Sequence, residues 1–91
     1  MKNLADLNGA SWENIRDNKA IKKDFIFHDF NEAWSFMNKI ASIADSMDHH
    51  PEWSNTYNRV TIILTTHDAG QVTDKDILLA NEIDNITENN N

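Results

Sequence analysis

The feature that most restricts how this chain can fold is a change of hydrophobic period at Asp29. Before it, Ile21, Lys23, Phe25 and Phe27 fall on one side of a segment that alternates with a period of two. After it, Phe30, Ala33, Trp34, Met37, Ala41 and Ala44 recur at helical spacing, and Phe36, Ile40, Ile43 and Met47 widen the apolar stripe. A strand is therefore predicted over residues 20–28, and a helix from about residue 29 to just before His49. Asp29 or Asn31 can cap the helix start, and Glu32 suits the positive end of its dipole. Pro51 disfavours helical geometry at His50 and closes the helix at the other end. The stripe is wider than one surface helix needs, which points to burial on two sides.

The flanking segments complete two hairpins. Residues 12–16 read as a short strand followed by a turn at Asp17-Asn18-Lys19. Residues 53–57 and a strand from Val60 to Thr66 or His67 surround a turn at Asn58-Arg59. Thr73 and Asp76 have capping-box spacing ahead of a last helix, which runs to about Ile86 with Leu79, Ile83 and Ile86 on one face. Residues 4–7 can form one further helical turn. The order α-β-β-α-β-β-α implies an α+β fold, a four-stranded antiparallel sheet with helices packed on one face. Two glycines and one proline leave little room for a linker, so residues 1–91 read as a single domain with a frayed tail at 87–91.

Composition narrows the function. A chain of 91 residues buries roughly two thirds of its unfolded surface, so a marginal monomer that self-associates is expected. Eight basic against fifteen acidic residues give a net charge of −7, which disfavours nucleic acid as a partner. No apolar run approaches the length of about 18 residues that spans a bilayer, and the first residues lack a hydrophobic signal core. The expected location is cytoplasmic, with no membrane partner. The absence of cysteine excludes disulfides, thiol catalysis and Cys-based zinc modules.

Of four histidines, His49, His50 and His67 fall in or beside predicted loops. Imidazole exchanges protons near neutral pH, and Pro51 stiffens the backbone next to the His49-His50 pair. If the helix end and the strand end at His67 share one rim, three imidazoles meet in a single cleft with donors and acceptors for acid–base work. Asp45 stands four residues before His49, on the same helical face, where a carboxylate can fix a ring's tautomer. Asp76 is explained by capping and is given no chemistry. His28 reads as a surface or capping residue. Trp53 and Tyr57 could flank a flat ligand, although core packing is the commoner role for such side chains. Neither HxH nor HExxH spacing occurs, so no metal is expected, and neither a serine elbow nor a glycine-rich phosphate loop is present.

The run from Asp45 through Asp48-His49-His50-Pro51-Glu52-Trp53, then Tyr57-Asn58-Arg59-Val60, Leu64-Thr65-Thr66-His67 and Thr73-Asp74-Lys75-Asp76, resembles the pterin-4a-carbinolamine dehydratase family. The likeness extends upstream through Phe25 to Met37. It implies a hydro-lyase that converts 4a-hydroxytetrahydropterin (the pterin-4a-carbinolamine) to the quinonoid dihydropterin and so supports tetrahydrobiopterin recycling. By this resemblance His49 and His67 are the acid–base pair and His50 orients the substrate. Asp48, Pro51, Thr66, Asp68 and Ala69 fall to the pterin pocket. Asp45 stands where the family commonly has glutamate and is expected to orient His49. The family works as homodimers or homotetramers, alongside aromatic amino acid hydroxylases, and uses no cofactor beyond its pterin substrate. The alternative is a protein-interaction module that stabilises a partner's oligomer through an exposed helix, with little or no turnover.

Overall fold

In a computed structural model, which describes residues 12–89, the alternating segments pair into one antiparallel sheet. Its strands are β1 (Glu13–Ile15), β2 (Ala20–Ile26), β3 (Glu52–Thr56) and β4 (Arg59–Leu64), in the spatial order β1-β2-β4-β3. The predicted long helix is α1 (Phe30–Met47), and the last is α2 (Asp74–Asn89). The helical turn expected at residues 4–7 lies outside the described residues. No helix among the described residues is long and apolar enough to cross a membrane.

Register decides which side chains share a face. Ile21 pairs with Leu64, Lys23 with Ile62 and Phe25 with Val60, and Ile62 in turn faces Trp53. This side is the core. It buries Ala33, Phe36, Ile40 and Ala44 of α1 together with Ile77, Leu79, Ala80 and Ile83 of α2. The Phe36 ring lies 4.9 Å from that of Phe25 and 4.7 Å from that of Phe27, a tilted cluster that locks α1 to β2. The other side carries Lys22, Asp24, Thr61 and Ser54, with Ile63 and the exposed Ile26 among them.

Lys23 is the exception on the core side. Its Nζ lies 2.7 Å from Asp84 Oδ1, and Trp12 Nε1–H donates to Asp84 Oδ2 at 2.9 Å. The ammonium also sits 5.0 Å from the Phe25 ring centroid and 5.8 Å from that of Trp12. A charge at this depth persists only when paired and hydrogen-bonded. The network ties α2 to the second strand.

Both hairpin connections begin one residue earlier than the sequence predicts. The first spans Arg16 to Lys19, with Arg16, Asp17 and Asn18 all left-handed (φ 56, 57 and 68). The second is Tyr57-Asn58, because Thr56 pairs directly with Arg59. Tyr57 takes φ 50, and Asn55 Nδ2 steadies it by donating to the carbonyls of Tyr57 and Arg59. Asn58 exchanges hydrogen bonds with Phe27 through its own carbonyl and its side-chain amide. These bonds end β2 at Ile26 rather than His28. At the far end α2 continues past Ile86 to Asn89, and the Thr87 hydroxyl donates to the carbonyls of Ile83 and Asp84.

Candidate active site

Asp29 caps α1 by accepting from the Glu32 amide at 2.9 Å, and the Glu32 carboxylate reaches back to the His28 amide at 2.8 Å. At the other end Asp48 turns left-handed (φ 52), and the His49 amide donates to Ala44 O at 3.0 Å. This Schellman-type closure breaks the helical phase before the histidine pair. His49 is consequently buried and His50 exposed. After β4, the amides of Ala69 and Gly70 donate to Thr66 O, Gly70 supplies a left-handed φ of 66, and Thr66 bridges to Gln71. His67 and Asp68 lie on this tight turn.

The helix end, the turn and the start of α2 border one hollow of about 510 Å³. His49, His50 and His67 all line it, together with Asp48, Pro51, Thr66 and Asp68. Glu52 and Lys75 join them without having been singled out by the sequence. Asp45 and Ala69 do not line it, and neither do Trp53 and Tyr57. Trp53 packs partly against the core, and Tyr57 is exposed at its hairpin turn. Among the described residues, no three His, Asp or Glu side chains approach closely enough to hold a metal ion.

Each imidazole has its own carboxylate. His49 Nε2 lies 2.6 Å from Asp76 Oδ1, His67 Nε2 lies 3.1 Å from Glu52 Oε2, and His50 Nε2 lies 3.4 Å from Asp45 Oδ1. A carboxylate only accepts, so hydrogen-bond logic assigns each Nε2 as the donor and leaves Nδ1 with a lone pair in the neutral ring.

The expectation that Asp45 orients His49 is therefore corrected: Asp45 faces His50, at the long end of hydrogen-bond range. The left-handed Asp48 is the reason, since i, i+4 adjacency holds only while the helix continues. His49 is held instead by Asp76, which is fully buried. Asp76 Oδ2 accepts from Thr66 Oγ1 at 2.7 Å and from the Thr73 amide at 2.9 Å. Because the Thr66 hydroxyl spends its proton on Asp76, the Thr73 hydroxyl donates to it across 2.7 Å. Only half of the predicted capping box forms, because the Asp76 amide bonds to Thr73 O. The visible signal was an N3 acid; its second oxygen carries the link to His49.

Glu52 is gripped from its other side by Arg16, whose Nη1 and Nη2 donate to Oε2 and Oε1 at 3.1 and 2.9 Å. Hydrogen bonds from Arg16 first and His67 second lower the Glu52 carboxyl from 4.5 to about 2. A depressed carboxyl contributes stability above its unfolded value that fades as pH falls through the folded one. Glu52→Gln should therefore melt about 2–4 °C below the parent at pH 7, a small effect because the pair is exposed. The gap should close between about pH 4.5 and pH 2, which thermal melts across that range would register.

The chain belongs to the pterin 4 alpha carbinolamine dehydratase family, whose model matches residues 1–86. A protein of Dinoroseobacter shibae named "Putative pterin-4-alpha-carbinolamine dehydratase" is 49% identical over 85 residues, covering 93% of this chain and 88% of that one. A protein of the same name from Prochlorococcus marinus is 54% identical over 76 residues, covering 84% and 78%. Among solved structures, a transcriptional coactivator/pterin dehydratase from Brucella melitensis superposes with a TM-score of 0.81 at 42% identity, covering 84% of this chain and 81% of that one. A pterin dehydratase-like protein described as a RuBisCO assembly factor in the alpha-carboxysome shares the fold, with a TM-score of 0.71 at 19% identity over 81% and 86% of the two chains.

Proposed function

We propose that this protein dehydrates 4a-hydroxytetrahydropterin to the quinonoid dihydropterin by histidine acid–base catalysis. The observation that carries the reading is the convergence of His49, His50 and His67, from two separate stretches of chain, on one hollow. Family membership supports the substrate class. In the reaction the C4a–O bond breaks as one imidazolium protonates the departing hydroxyl, which leaves as water. A second imidazole takes the proton from N5, and that bond's electrons form the N5=C4a double bond. His49 and His67 serve as this pair, and His50 orients the ring. The acid and base end with exchanged protonation, which solvent resets. The product then awaits a reductase, in step with an aromatic amino acid hydroxylase, and the working form is a homodimer or homotetramer.

The test follows the carbinolamine spectroscopically as a hydroxylase generates it, with and without purified protein. Decay at least about tenfold faster than the spontaneous reaction is the expected result; an unchanged rate overturns the reading.

A second reading is a protein-interaction module. Phe30 and Trp34 favour it, since they are 43% and 51% exposed and stack at 6.2 Å on α1. It predicts negligible turnover together with a stoichiometric partner whose binding is lost in Trp34→Ala.

A further inference from the structure

We propose that Arg16 is a positioning residue for His67, acting through Glu52 from the far side of the sheet. In the order β1-β2-β4-β3 the strand that precedes Arg16 and the strand that begins with Glu52 are the two outermost, so no backbone ladder joins them. The Arg16 guanidinium does so instead, with both carboxylate oxygens engaged at once. A two-pronged contact of this kind sets the plane of the carboxylate as well as its position.

The backbone is shaped to deliver that contact. Arg16 opens a run of three left-handed residues, none of them glycine, a strained arrangement that persists only where its surroundings hold it. Thr65 Oγ1 donates to Lys19 O at 2.7 Å, which fastens the end of the same connection two residues before His67. Glu52 Oε2 then serves Arg16 Nη1 and His67 Nε2 alike, both at 3.1 Å.

His67 needs such a device, because its side chain is 77% exposed and packing does not confine the ring. His49 is confined by burial against Asp76. Proton transfer is sensitive to misplacement of the donor or acceptor by a fraction of an ångström. An exposed imidazole held by a mobile carboxylate would be a poor partner for a buried one. Arg16 removes that mobility. The kinetic part of this inference rests on the dehydratase reading; the structural part does not.

The experiment compares the parent with Arg16→Met and Arg16→Lys by two readouts. Carbon relaxation NMR of the imidazoles reports ring order without reference to turnover. In Arg16→Met the His67 ring should become mobile on the nanosecond scale while His49 is unchanged, and kcat should fall about three- to fivefold with KM altered less than about twofold. Arg16→Lys should recover part of the loss, since an ammonium keeps the charge but cannot match the two oxygens, and it is the fallback if the methionine variant fails to fold. A His67 ring as ordered in both variants as in the parent overturns the proposal, and so does a loosened ring with kcat unchanged. If the parent itself has no turnover, the dehydratase reading falls, and ring order alone still decides the role of Arg16.

Discussion

His49→Ala combined with His67→Ala is expected to reduce dehydration turnover by about 10³–10⁴, against about 10² for either change alone. In the proposed reaction one ring protonates the departing hydroxyl and the other accepts the N5 proton, so each single variant would retain half of the proton traffic. His67→Ala is the cleaner probe, because the exposed ring contributes little to folding. His49→Ala takes one of three donors from buried Asp76, leaving Thr66 and the Thr73 amide. It should lower stability by about 1–3 kcal/mol without unfolding the chain. Rates are therefore to be compared where urea melts show both proteins folded. A double variant as fast as the parent would remove histidine catalysis from consideration.

Asp84→Ala is expected to be the most destabilising single change, at about 3–5 kcal/mol. It strands the Lys23 ammonium, only 15% exposed, among the rings of Trp12 and Phe25, and leaves the Trp12 indole N–H without its acceptor. A domain this small should lose about 15–30 °C of melting temperature. Adding Lys23→Met should return most of the loss, because an apolar side chain in place of the orphaned charge has nothing left to pair. Urea unfolding of the parent, the two single variants and the double variant closes the cycle. A loss below about 1 kcal/mol for Asp84→Ala would mean that solvent reaches Lys23 freely.

The elements of the fold were legible because period alone distinguishes them. Alternation around Phe25 and the helical stripe from Phe30 identified β2 and α1, and even assigned Lys23 to the apolar side. Its partner lies 61 residues away and left no local trace. The second hairpin turn slipped by one residue because the Asn55 side-chain amide holds the Tyr57 turn, and the first because Arg16 joins the left-handed run of Asp17 and Asn18; propensity registers neither. In the site, the three histidines stand out from their placement at a helix end and a strand end, and the other expected pocket residues follow only from the family resemblance. The carboxylates behind them were not legible. Asp45 was matched to His49 by assuming that α1 continues through Asp48, and Asp76 was credited with capping alone. Arg16 and Glu52 are 36 residues apart, so only the folded sheet brings them together.

Helix α2 carries Asp76 in its first turn and Asp84 two turns later. The same rod therefore holds the buried His49 ring at one end and the partner of the Lys23 ammonium further along. Under the proposed chemistry, heat tolerance and reactivity share a single mechanical part, and substitutions selected for one will be felt by the other.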